Sequence, residues 1–142
     1  MIISIGADHG GLELKNNIAL FLKEKGYQVI DNGTFSPESV DYPDFAKKVV
    51  SDIHNGSASF GILVCGSGIG ISIAANRHKG IRAALVTRKE YAELSRQHND
   101  ANIIVLGGRF CSFEEAKEYI DIFLKTPFEG GRHLNRINKI EL

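Results

Sequence analysis

Short apolar runs alternate along this chain with stretches whose apolar residues recur every three or four positions. Met1–Ile5, Tyr27–Ile30, Phe60–Val64, Arg82–Val86 and Asn102–Leu106 read as strands. Each is a short run bounded by turn formers, the pattern of strands covered on both faces. Leu14, Ile18, Phe21 and Leu22 fall at helical spacing, as do Phe45, Ala46, Val49, Val50 and Ile53. Ala116, Ile120, Phe123 and Leu124 mark a later helix. Gly26 and Asn55–Gly56 serve as helix stops. Thr87 with Glu90 predicts a capping box for a helix running to about Gln97, and Ser112 with Glu115 predicts another. Asp31–Asp44, holding Pro37 and Pro43, reads as a loop. Pro127 and Gly130–Gly131 break the chain before a helical tail, Arg132–Leu142.

Strand and helix thus alternate five times. This predicts an α/β fold: a Rossmann-like three-layer sandwich, with a five-stranded parallel sheet, helices on both faces and a C-terminal helical tail. At 142 residues, with no internal repeat or linker, the chain is expected to form a single domain, 1–142. The tail has a small apolar set (Leu134, Ile137, Ile140), too little to stand alone, so it is expected to dock on another element or on a second subunit.

The most distinctive stretch is FGILVCGSGIGISIAANR, Phe60–Arg77. A strand stops at Cys65, and the turn Gly66-Ser67-Gly68-Ile69-Gly70 leads into a helix expected over Ile71–Asn76. Glycines allow close backbone approach, and amides converging on a helix N-terminus favour an anion. In open parallel sheets, ligands bind where strands end in this way. The bland alternative is a tight turn with a buried, inert cysteine.

Composition narrows the field by exclusion. Lys+Arg and Asp+Glu number 17 each, so no global charge argues for nucleic acid or an anionic membrane. No apolar run approaches the ~20 residues of a membrane span, and MIISIGADHG lacks the marks of a signal peptide. Cys65 and Cys111 form no CxxC, which points to free thiols in a reducing cytoplasm.

Candidate chemistry gathers near the strand ends. Asp8 and His9 follow the first strand, Cys65 and Ser67 the third, and Arg109 the fifth. His98 and Asn99 close the helix before strand five. Together they make a plausible acid/base set. Arg132 and Arg136 lie four apart, hence on one helix face, where they could clamp a phosphate. The alternative for that pair is a solvated basic face. A dinucleotide site is disfavoured, although Asp31 lies about 20 residues past GADHGG. Asp8 replaces the middle glycine of G-x-G-x-x-G, and its carboxylate would repel a pyrophosphate. No P-loop occurs, and the His and Cys residues show no metal-ligand spacing.

Five segments, in order and spanning nearly the whole chain, resemble the ribose-5-phosphate isomerase B group, which includes the galactose-6-phosphate isomerase subunits. They are GADHGGLELK, DYPDFA, CGSGIGISIAAN, SRQHNDANIIVLGGR and EGGRHLNRI. The resemblance implies a cytoplasmic enzyme of carbohydrate metabolism, in the pentose phosphate pathway. It would interconvert ribose 5-phosphate and ribulose 5-phosphate without metal or organic cofactor. It implies Cys65 as the base, Ser67 as a proton shuttle, and the amides of Gly66, Gly68 and Gly70, with Asn99, as enediolate stabilisers. His98 would open the sugar ring, with Asp8 nearby on the sugar. His9, Arg132 and Arg136 would hold the phosphate, assisted by Arg109. One branch of the family places a glutamate base where this chain has Ile71, which cannot take a proton, so the task falls to Cys65. The resemblance further implies a homodimer or homotetramer with the active site shared between subunits. The alternatives are an isomerase of a six-carbon phosphate (allose or galactose 6-phosphate) and a non-catalytic sugar-phosphate-binding module.

Overall fold

A computed structural model describes residues 1–141 of the chain. Leu142, the end of the expected tail, lies outside the described residues. The five strands are β1 (Ile2–Ala7), β2 (Gln28–Asp31), β3 (Phe60–Cys65), β4 (Ala83–Leu85) and β5 (Ile103–Gly107). They form one parallel sheet in the order β2-β1-β3-β5-β4. The register sets Ala7 beside Val64 and Cys65 beside Gly107, so the carboxyl ends of the three central strands lie level.

Alternation along β3 sorts the core into two layers. Ile62 and Val64 face α1 (Leu12–Glu24), α4 (Lys89–Gln97) and α5 (Phe113–Lys125), where Ile18, Ala92 and Phe123 are buried. Leu63 and Cys65 face α2 (Tyr42–His54) and α3 (Ile69–Asn76), meeting Val49 and Ile71. Each such large apolar side chain contributes roughly 1.5–3 kcal/mol by leaving water, which is why a sheet covered on both sides needs apolar residues at consecutive positions. Among the described residues no helix is long and apolar enough to cross a membrane.

The differences from expectation have local causes. The box at Thr87 does not form: Arg88 is the N-cap of α4 and its Nε pairs with Glu90 at 2.9 Å instead. The Ser112–Glu115 box forms with both of its hydrogen bonds. Helix α2 begins ahead of its apolar stripe, with Pro43 in the first turn, where a missing N–H costs nothing. Helix α3 begins at Ile69, so Gly70 is helical and Gly68, at φ +81°, makes the turn.

The tail, α6 (Arg132–Ile140), docks on its own chain at the amino end of the sheet. His133 and Ile137 are buried, while Leu134 and Ile140 stay exposed. Beyond the helix, Glu141 holds Arg82 Nη1 at 2.9 Å and accepts from the Gly80 amide at 3.1 Å.

Asp31, the acid that mimics a dinucleotide fingerprint, is already engaged. The fully buried Lys15 Nζ donates to both its oxygens at 2.9 and 3.0 Å, and the Phe35 ring lies 4.7 Å from the same nitrogen. Removing one partner of a buried pair strands the other charge. Asp31→Ala is therefore expected to cost about 3–5 kcal/mol, read as a lowered urea midpoint at unchanged slope.

Candidate active site

Strand β1 has β2 on one side and β3 on the other, so the direction of winding reverses between β1 and β3. That gap leaves a crevice at the carboxyl ends of the two strands. Its walls are the chain segments leaving β1, β3 and β5, and they touch backbone to backbone. A Cβ on Gly11 would come 2.6 Å from the Val64 carbonyl oxygen. One on Gly107 would meet the Ser67 carbonyl at 2.6 Å, and one on Gly108 the Gly10 carbonyl at 2.6 Å. Only glycine fits at such contacts. The Gly108 amide donates to the Cys65 carbonyl at 2.7 Å and the Arg109 amide to the Gly66 carbonyl at 3.0 Å, locking the third segment to the second.

Within this frame Cys65 is only 4% exposed, yet its sulphur faces the turn: the Gly68 amide donates to Sγ at 3.2 Å. The sulphur is thus a hydrogen-bond acceptor for the glycine turn. Ser67 is exposed, its hydroxyl accepting from the Ile69 amide at 3.1 Å. The Arg109 guanidinium lies against Gly66, where an added Cβ would sit 2.8 Å from Nη1. Asp8 caps a short 3₁₀ turn, His9–Gly11, accepting from the Gly10 amide at 2.9 Å. The Val40 amide donates to His9 Nδ1 at 3.2 Å. Nδ1 is then the acceptor nitrogen, and the ring proton sits on Nε2, free to donate.

The structure thus brings together Asp8, His9, Cys65, Gly66, Ser67, Gly68, Gly70 and Arg109. It does not bring His98, Asn99, Arg132 or Arg136 to them. His98 and Asn99 lie in the connection that enters β5 at its amino end, while Cys65 pairs with Gly107 at the other end. One strand length, roughly 15 Å, separates the two ends. At the amino end the His98 ring stacks on His133, with centroids 4.3 Å apart. The Arg82 guanidinium donates to the Asn99 carbonyl at 2.9 Å. Arg96 organises the same turn: it donates to Asp100 at 2.8 Å and the Ala101 carbonyl at 2.7 Å, with the Phe60 ring 4.9 Å away.

Two features escape the sequence reading. Tyr42 stands over the glycine turn, so close that a Cβ on Gly70 would come 2.7 Å from its ring. The segment DYPDFA points there, but a tyrosine at a helix start carries no chemical signature of its own. The second is a set of possible metal ligands: His98, Glu129 and His133 place one donor atom each within 4.8 Å of the others. The absence of ligand spacing held for the His and Cys residues alone. Glu129 and His133 stand four apart, and the fold supplies His98.

A small cavity of about 50 Å³ lies beside Ser67, walled by Thr87, Phe110, Cys111 and Tyr119, with room for a water or two. A wide groove of about 780 Å³ runs past Val40, Asp44, Lys47 and Ser51, but it holds no thiol or imidazole and is not where the chemistry converges. Cys111 is a poor nucleophile: burial, then the nearby Glu115 carboxylate, push its thiol from 9.0 up to about 11. Only about one part in a thousand is thiolate at pH 8. Iodoacetamide labelling of Cys111, followed by peptide mass, should therefore be slow at pH 8 and accelerate about tenfold per pH unit toward 11.

Known proteins share this fold. A family model described as Ribose/Galactose Isomerase matches residues 3–140. The chain is 46% identical over 138 residues to ribose-5-phosphate isomerase B of Escherichia coli, covering 97% of this chain and 93% of that one. A crystal structure of a ribose 5-phosphate isomerase from Thermotoga maritima superposes with a TM-score of 0.98 at 55% identity, covering 99% and 97% of the two chains. Ribose-5-phosphate isomerase B from Mycoplasma genitalium, solved with bound ribulose-5-phosphate, superposes at 0.93 with 45% identity, covering 98% of this chain and 93% of that one. With a match that runs from β1 through α6, the chain belongs to the ribose/galactose isomerase family.

Proposed function

We propose that this chain, acting as a single domain, interconverts ribose 5-phosphate and ribulose 5-phosphate by proton transfer through an enediolate, with Cys65 as the base. The observation that carries the reading is the Gly68 amide on the Cys65 sulphur, inside a crevice whose walls leave no slack. The bound ribulose-5-phosphate of the Mycoplasma genitalium relative supports the choice of a pentose phosphate.

The thiolate of Cys65 takes the proton from C2 of the open-chain aldose. The electron pair moves into the C1–C2 bond, and the carbonyl oxygen gains negative charge. Each preorganised donor aimed at that oxygen can supply roughly 3 kcal/mol; the amides of Gly66 and Gly70 suit the task, while the Gly68 amide is engaged on the Cys65 sulphur. Ser67 carries the hydroxyl proton from O2 to O1, and the thiol returns its proton to C1. Thiolate is regenerated and no atom is gained or lost. His9 Nε2–H and Arg109 lie on the same side and suit the phosphate.

The remaining groups come, in this reading, from a second copy. His98, Asn99, Arg132 and Arg136 sit at the far end of their own sheet, and a two-fold dimer would carry them to the partner's Cys65. The face beside the glycine turn supports this: Ile69 and Ile73, one helical turn apart on α3, are 56% and 60% exposed. His98 then opens the ring, and Arg132 and Arg136 complete the phosphate clamp. Two free cysteines suit work in the cytoplasm, within pentose phosphate metabolism. The test is turnover of ribose 5-phosphate against allose 6-phosphate and galactose 6-phosphate, with EDTA present. A higher kcat/KM for the pentose is expected; preference for a hexose phosphate, or binding without turnover of any, would overturn the assignment.

A further inference from the structure

The geometry points to a binding site for one late divalent transition ion of the Zn²⁺ class, built from His98, Glu129 and His133. Glu129 Oε1 lies 3.4 Å from His133 Nε2 and 3.9 Å from His98 Nε2, and all three donor atoms fall within 4.8 Å of one another. Bonds of about 2.0–2.1 Å at tetrahedral angles put neighbouring donors about 3.4 Å apart. Of the three pairs, one already has that spacing, the second is wider by half an ångström, and the two imidazole nitrogens lie within 4.8 Å of each other. The half-exposed Glu129 and His98 side chains can close both gaps by rotating, since only His133 is buried.

Three further observations favour this occupant. Both imidazoles present the same nitrogen to one carboxylate oxygen, and the exposed His98 ring, now stacked on His133 at 13°, would turn out of the stack to aim its lone pair at the shared ion. The backbone holds the ligands near one another: the Glu129 amide donates to the Gln97 carbonyl at 3.1 Å, beside His98, and His133 lies in the first turn of α6, its amide on the Gly130 carbonyl at 3.2 Å. The donor set, two imidazoles and one carboxylate with a fourth position open to water, is the set that binds Zn²⁺, Co²⁺ or Ni²⁺. Mg²⁺ and Ca²⁺ prefer oxygen donors and should not compete.

A bound ion would occupy the His98 lone pair. On the reading of His98 given under Proposed function, it would also inhibit the isomerase; the binding itself does not depend on that reading. The test titrates the purified chain with Co²⁺, followed by visible absorption, and with Zn²⁺ against a chromophoric chelator. One ion per chain is expected, with affinity lowered at least about tenfold in Glu129→Gln and in His133→Gln but not in His54→Gln. Glu129 is exposed enough that its variant folds even if the His133 variant does not. Absence of saturable binding, or equal binding by Glu129→Gln and the parent chain, would overturn the site. Zn²⁺ inhibition reversed by EDTA, and lost in Glu129→Gln, would support both readings. Binding at this site without inhibition would support the metal site and remove His98 from the reaction.

Discussion

Cys65→Ser is expected to lower kcat by ~10²–10⁴-fold while leaving affinity for ribulose 5-phosphate nearly unchanged, the signature of losing a proton-transfer group. Serine keeps an acceptor for the Gly68 amide and nearly the volume of cysteine, so the turn and the packing against Leu63 and Ile71 should persist. What disappears is basicity, since a serine hydroxyl holds its proton far more tightly than a thiol. Ile71 is fully buried and apolar and cannot substitute. The measurement pairs steady-state kinetics with calorimetric titration of the product. An equal loss in rate and affinity would instead make Cys65 a packing residue.

Mixing two dead variants should restore activity. On the shared-site proposal, Cys65→Ser damages the carboxyl-end half of each site, and His98→Asn damages the half that a second copy would supply. In a mixed dimer one site carries both lesions and the other carries neither. Co-refolding equal amounts should form half mixed dimers, each with one working site, and recover about a quarter of parental activity. Recovery no greater than the sum of the two separate variants would show that each site is built from a single chain.

The sheet and both of its helix layers were legible in the sequence because parallel strands buried on two faces leave continuous apolar runs, as in Phe60–Cys65. Helix starts were less so. Thr87 and Glu90 have capping-box spacing, but Arg88 competes for the carboxylate and wins. Gly70 looks like a loop residue and is helical, because the turn is completed one step earlier by Gly68. The thiol, the glycines, Asp8, His9 and Arg109 converge as their strand-end positions implied. His98 and Asn99 lie where any helix-to-strand connection of a parallel sheet must lie, at the amino end. The proposed link to Cys65 would need a second chain, and no residue pattern within one chain encodes that distance. Tyr42 and Glu129 were invisible for a different reason: each draws its meaning from a neighbour far away in sequence.

The touching main chains around Gly11, Gly107 and Gly108 divide the adaptable parts of this protein from the fixed ones. A side chain added at any of these three points would meet a carbonyl oxygen at 2.6 Å, so this half of the cleft cannot be widened by single replacements there. On the shared-site proposal, room for a longer sugar has to be found on the wall that a second copy would supply, among the residues carried by α6 and the turn before β5. In such an assembly the glycine crevice would be the rigid mould and the second copy's wall the adaptable part, where a change of substrate is expected to be written.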